Sequence, residues 1–189
     1  PGVVRDTGRG ETWIGSEFAG DDPATFEMVT RIAGLLSASG WPANPVREVL
    51  PHLWNKLAVS AAINPLTALT RSINGEVANN PNLAQLAAYL AGEAAAVAAS
   101  LGIVLERPVE RALEVARATG NNRSAMLRDI ELGRRTETEA IIGAIHDLGE
   151  ANGVNTPITT MMAIMVLALE RNLLAAQEPA FDPSEPLRD

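Results

Sequence analysis

Downstream of Trp41, every apolar run in this chain opens on a helix-starting residue, and most close on a helix-stopping glycine. That punctuation leaves room for helices and little else. Asn79-Asn80-Pro81 opens an alanine-rich helix to about Ser100, and Gly102 ends it. Pro108 opens another to Thr119, with Gly120 as its stop, and Ser124 to Leu132 forms a shorter one closed by Gly133. Thr136 caps the next, with Thr136-x-x-Glu139 as a capping box, and Gly153 stops it after Asn152. Thr156-Pro157 opens the last long helix, to about Gln177. Proline suits a first turn because the N–H it lacks has no partner there, and glycine suits the stop because it accepts positive φ. A helix over Glu48–Thr70 contains Pro65, which predicts a kink or a break at Asn64.

The composition agrees with closely packed helices. Apolar residues make up 47 % of the 189 but aromatics only 4 %, so the core must be built of Ala, Leu, Val and Ile. A net charge of −8 with no Lys/Arg cluster argues against a nucleic-acid footprint. There are no cysteines, which excludes disulfides and a thiolate nucleophile and fits a cytoplasmic location. The apolar windows Leu83–Leu101 and Met161–Leu169 are interrupted or flanked by Glu93 and by Glu170-Arg171, so they read as buried helices rather than membrane spans. His52 and His146 have no partner at metal-ligand spacing, and no short motif suggests a hydrolytic triad. The tail Glu178–Asp189 is proline-rich and acidic, and reads as irregular.

The start of the chain is different. Val3–Arg5 and Thr12–Ile14 are short β-type runs around the turn residues Thr7-Gly8-Arg9-Gly10, which predicts a hairpin. Asp22 and Pro23 then open a helix to about Ser39, stopped by Gly40. A lone hairpin with one helix leaves sheet edges open. Residues 1–41 therefore read as the end of a larger α/β sheet, the chain's start at Pro1 as a sign of processing or truncation, Pro42 and Pro45 as a linker, and 42–189 as a helical domain.

A single stretch of the helical domain carries chemistry. Lys56, Ser60 and Asn64 recur at a spacing of four in Trp54–Glu76, which puts an ammonium, a hydroxyl and an amide in one line on a helix. Polar groups on an apolar helix need partners, and a small polar substrate would supply them. The plainest reading of Lys56 is a side chain reaching out to water. Its neighbours Leu57, Ala58, Val59, Ala61 and Ala62 argue instead for a partly desolvated amine of lowered pKa, able to protonate a carbonyl oxygen while hydride arrives at its carbon. Asn74 before Gly75 reads as turn chemistry, Ser124 as an N-cap, and Glu137 as an acid at a helix N-terminus or a partner of Arg134 and Arg135.

At these residues the chain resembles the ketopantoate reductases. Trp54-Asn55-Lys56-Leu57, Asn64-Pro65-Leu66-Thr67-Ala68-Leu69 and Asn74-Gly75-Glu76 follow that family's central signature in order and spacing. Asn122-Arg123-Ser124-Ala125-Met126-Leu127-Arg128-Asp129, Arg134-Arg135-Thr136-Glu137 and Thr156-Pro157 resemble three further segments. The resemblance covers nearly the whole chain except the tail. It implies a mainly α fold: a helical domain like the C-terminal domain of 6-phosphogluconate dehydrogenase, preceded by the hairpin and helix that end a Rossmann domain. It implies an NADPH-dependent reduction of 2-dehydropantoate to pantoate in pantothenate biosynthesis, with the dinucleotide's phosphate turn outside this chain. In that scheme Lys56 is the general acid, Glu137 orients substrate and the nicotinamide-ribose end, and Ser60, Asn64, Asn74 and Ser124 face the substrate.

Three departures bear on the substrate. Ser60 stands where the family usually has asparagine, Ala125 replaces a substrate-contacting serine, and Thr138 and Ile142 interrupt a further run. A site that loses hydrogen-bonding groups loses discrimination for the substrate that used them. A different 2-keto or hydroxy acid is one alternative. A noncatalytic helical fragment that binds substrate or forms a homodimer is another, since the isolated chain is expected to be inactive without a Rossmann half.

Overall fold

The computed structural model describes residues 12–16 and 22–175. The chain divides into two compact units, Pro1–Trp54 and Asn55–Asp189.

In the first unit, strand β1 (Thr12–Ile14) leads to helix α1 (Pro23–Ala38) and strand β2 (Ala43–Pro45). The two strands pair in parallel, with Thr12 opposite Ala43 and Ile14 opposite Pro45. Val3–Arg5 and the turn after it lie outside the described residues. The partner of β1 among the described residues is thus a strand from the stretch read as a proline-marked linker. Ala43-Asn44-Pro45 has no β-branched residue, so its sequence carries no strand signal. Tertiary contacts make it one: Val46 donates its N–H to the Ile14 carbonyl at 2.8 Å, and the Ser37 hydroxyl accepts from the Ala43 N–H at 3.1 Å. Gly15 is required nearby, because a Cβ there would meet the Val46 carbonyl and the Val49 side chain at 2.9 Å. Asp22 caps α1 by accepting from Ala24 and Thr25 N–H, and Pro23 fills its first position.

The second unit is helical. Helix α2 (Leu50–Thr70) enters it and is followed by α3 (Asn74–Asn79), α4 (Pro81–Ser100), α5 (Pro108–Ala118) and α6 (Ala125–Glu131). A π-helical turn (Glu139–Gly143) then leads into α7 (Ala144–Ala151), and α8 (Pro157–Ala175) closes the described chain. The stops fall where expected: Gly102, Gly133 and Gly153 all have positive φ, at 81°, 61° and 70°. Helix α4 is the central element, touching α3, α5, α7 and α8, and its buried face is mostly alanine (Ala87, Ala91, Ala94, Ala98), so its neighbours pack close. A second cluster joins Ala68 of α2, Met126 and Ile130 of α6, and Val166 of α8.

Three expectations change. First, α2 is not broken at Pro65; it stays helical from Leu50 to Thr70. Ala61, Ala62, Ile63, Leu66 and Ala68 are all buried, so packing outweighs the one backbone bond lost at Pro65. Second, Asn74-Gly75 is not a simple turn but the first residues of α3. Asn74 N–H donates to the Asn122 carbonyl at 2.9 Å and Gly75 N–H to the Gly120 carbonyl at 3.0 Å. Third, the capping box at Thr136 does not form. Its N–H, which Glu139 would have to reach, is already taken at 2.8 Å by the carboxylate of Glu170 from α8, and Glu139 is exposed.

Candidate active site

Helix geometry decides what the Lys56–Ser60–Asn64 line can meet. Each step of four residues advances about 400°, so the line drifts about 40° around the helix per step. Lys56 is exposed, Ser60 and Asn64 are half-buried, and Ala68, the next member, is fully buried. The expected desolvation of Lys56 is therefore corrected. Its apolar neighbours turn inward without it: Trp54 and Ala58 are buried, and Lys56 lies about 200° round the helix from each. Among the described residues none of the three side chains in the line has a hydrogen-bond or ion-pair partner. They form a ramp of unpaired donors running from water toward the core.

The core end of that ramp is bolted to α6. Thr67 is fully buried, and its hydroxyl lies 3.1 Å from the Ile63 carbonyl, 3.0 Å from the Asn64 carbonyl and 2.7 Å from the Ser124 hydroxyl. Ser124 is the N-cap of α6 and accepts the Leu127 N–H at 3.0 Å. Its hydroxyl is thus committed on both sides, which leaves no free donor for a substrate and gives it the capping role. Ala125, beside it, is exposed.

Asn74 is buried at 9 % exposure. Its amide donates to the Thr119 hydroxyl at 2.9 Å, while its Oδ1 is buried without a partner among the described residues. Glu137 is exposed, carries no ion pair to Arg134 or Arg135 among the described residues, and offers its carboxylate freely. An unpaired carboxylate suits the hydroxyls of a ribose, so the residues present fit that end of a dinucleotide. What holds the loop of Glu137 is Glu170, which accepts both the N–H and the O–H of Thr136 at 2.8 Å. The Thr136 and Thr138 hydroxyls lie 2.6 Å apart, and Thr138 is buried. The structure thus brings Asn64 and Ser124 together through Thr67. The sequence shows Glu93 and Glu170 only as charges breaking apolar windows and Thr67 only within a motif, with no role assigned, although a lone acid within the apolar helix α4 is a signal that something must satisfy it.

A separate open cavity of about 700 Å³ lies between α7 and α8, lined among others by His146, Glu150, Thr160 and Ile164, and none of the expected site residues touches it. Among the described residues no cluster of three or more histidines and acids could hold a metal ion.

Comparison with known proteins decides the lineage of this arrangement. The family described as ketopantoate reductase PanE/ApbA C terminal matches residues 48–170. The chain belongs to the ketopantoate reductase family. A 2-dehydropantoate 2-reductase of Archaeoglobus fulgidus is 38 % identical over 172 residues, which is 91 % of this chain and 57 % of that protein. The chain spans about half the length of the curated relatives it matches. Among solved structures, D-mandelate dehydrogenase in a ternary complex with NADH and anilino(oxo)acetate superposes with a TM-score of 0.80 at 25 % identity, over 90 % of this chain and 70 % of that one. A ketopantoate reductase family member from Ralstonia eutropha JMP134 gives 0.77 at 27 % identity, over 92 % and 55 %. Membership accounts for the order of the segments around Lys56, Asn64, Ser124, Glu137 and Thr156, each of which lies within the matched residues.

Proposed function

We propose that this chain is the substrate-side helical portion of an NADPH-dependent reductase of a 2-keto acid, converting 2-dehydropantoate to pantoate. Residues 1–41 would close its dinucleotide-binding domain and residues 42–189 form the helical domain. The observation that carries the reading is the unpaired ramp Lys56–Ser60–Asn64, set beside the α6 segment in a member of this family. The reduced nicotinamide, when bound, supplies hydride to the keto carbon. The chain's own residues then do the rest. Lys56 donates a proton to the keto oxygen as charge develops there. Asn64 and Ser60 offer donors to the substrate's carboxylate and hydroxyl region, and Asn74 contributes from the start of α3. Glu137 accepts hydrogen bonds from the nicotinamide ribose and orients the acid against it. Because Lys56 is exposed in this chain, exclusion of water from the amine has to come from bound substrate and cofactor.

A second reading, a dehydrogenase of a different 2-keto or 2-hydroxy acid, is favoured by the departures at Ser60 and Ala125 and by the high superposition on D-mandelate dehydrogenase. A cytoplasmic location fits both readings. Association of two copies through the helical domain is included in the proposal, because α8 turns Met161, Ile164 and Met165 outward on one face. The test is the complete enzyme containing this chain, assayed by loss of reduced-nicotinamide absorbance with 2-dehydropantoate and a panel of other 2-keto acids. Lys56→Ala should lower turnover by about 10²-fold or more and leave the thermal transition in place, since the side chain is exposed. An unchanged rate would remove Lys56 from the mechanism, and preference for another acid would move the enzyme to the second reading.

A further inference from the structure

We infer that Thr67 is a positioning residue whose hydroxyl fixes the substrate-facing turn of α2 against the N-terminus of α6; the inference rests on the function proposed above. Thr67 is 0 % exposed, and a buried hydroxyl is costly unless its donor and acceptor are both used. Here both are. The Leu127 N–H can only donate, so it points into Ser124 Oγ at 3.0 Å. The carbonyls of Ile63 and Asn64 can only accept, so they claim the Thr67 proton at 3.1 and 3.0 Å. With the Thr67 proton used in this way, the 2.7 Å bond between the two hydroxyls runs from Ser124 to Thr67. Both hydroxyl protons are then assigned, and the direction is set from the Thr67 end.

This one-way relay ties together two segments 57 residues apart in sequence. One end grips the backbone of Asn64, whose amide closes the unpaired ramp. The other end is the cap immediately before Ala125, an exposed residue on α6. A ligand held between Asn64 and the start of α6 needs that separation constant. The hydroxyl pair fixes it directly, beside the packing of Ala68 against Met126 and Ile130. The line of polar side chains and the hydroxyl pair behind it therefore form one device: the first meets substrate, and the second sets where it stands.

The test is steady-state kinetics of the complete enzyme with Thr67→Val, Thr67→Ser and Ser124→Ala. Valine keeps the shape and deletes the hydroxyl. The KM for the 2-keto acid should rise about tenfold while the KM for NADPH stays unchanged, and Thr67→Ser should restore wild-type values to within about twofold. Ser124→Ala should give the same rise, and combining it with Thr67→Val should add nothing further. If Thr67→Val does not fold, Ser124→Ala carries the test. A lowered melting temperature with an unchanged keto-acid KM in both variants would make the pair merely structural and overturn the inference. So would failure of Thr67→Ser to restore activity. A wild-type enzyme that reduces no 2-keto acid would instead overturn the proposed function.

Discussion

Glu93 offers a quantitative test of how the helical unit is held together. It projects from the middle of α4 and is half-buried. Its two oxygens accept the N–H groups of Ile158 at 2.9 Å and Thr159 at 2.7 Å. These are the orphan donors of the first turn of α8. Pro157 has no N–H, and the Thr160 N–H already reaches the Thr156 carbonyl at 2.9 Å. One carboxylate from another helix therefore completes the cap, with its charge at the positive end of the helix dipole. A hydrogen bond to a charged group is worth about 1.5–3 kcal/mol, and a lost cap costs about 0.5–2 kcal/mol. The two overlap, and water can reach a half-buried site, so Glu93→Ala should cost about 2–3 kcal/mol in all. For a domain of this size that lowers Tm by roughly 5–10 °C. Glu93→Gln keeps one acceptor and should lose about half as much. The assay is thermal and urea unfolding followed by far-UV circular dichroism, with the urea midpoint falling and its slope unchanged. If Glu93→Ala melts within about 1 °C of wild type, the carboxylate is not the cap of α8.

Two further expectations follow from the same geometry. At Gly75 an added Cβ would lie 3.1 Å from both the Cα and the carbonyl oxygen of Gly120, and backbone cannot swing aside as a side chain can. Gly75→Ala should therefore destabilise by about 1–3 kcal/mol, read as a lower urea midpoint. At the other end of the chain, the Thr25 hydroxyl and then the Thr25 N–H hold the Asp22 carboxyl below its ordinary value of 3.8. A lowered folded-state pKa means that the stabilisation of α1 is complete above 3.8 and fades as pH falls through the lower folded value. An NMR titration of the Ala24 and Thr25 amides should show that loss on acidification, and Asp22→Asn should show none.

The sequence made the helices legible because their signals are local. Asn80 caps α4, Pro81, Pro108 and Pro157 occupy first turns, and glycines with positive φ close α4, α6 and α7. What could not be read was set by partners far along the chain. Strand β2 exists because β1 pairs with it, not because Ala43-Asn44-Pro45 favours extension. The local capping box at Thr136 loses to Glu170, a residue 34 positions away, and α8 is capped by Glu93, 65 positions away. The site divides in the same manner. The line Lys56–Ser60–Asn64 follows from a spacing of four, but the exposure of Lys56 depends on which face of α2 the core selects. Ser124 was readable as a cap. Its bond to Thr67 was not, since nothing in a sequence shows which buried hydroxyls will meet.

The exposure of Lys56 has a geometric consequence for Ser60. From Lys56 to Asn64 the helix rises about 12 Å, further than a small 2-keto acid can stretch. A substrate anchored at Asn64 is reached by the Lys56 amine only if the lysine stem lies back along the ramp, over Ser60. An exposed side chain with no ion-pair partner among the described residues is free to do so, whereas one packed into the core would not be. In the reductase proposed above, residue 60 would then lie beneath the reacting end of the substrate, and its length would set how much room remains between amine and amide. Serine leaves that space open and supplies one short hydroxyl; asparagine, the residue usual in the family, would fill it with a second amide. Ser60→Asn should accordingly raise the ratio of kcat/KM for 2-dehydropantoate over bulkier 2-keto acids, by about tenfold for one added hydrogen bond at a discriminating position. Parallel kinetics on the substrate panel measure it. An unchanged ratio would mean that the stem does not pass over Ser60 and that selectivity resides elsewhere in the enzyme.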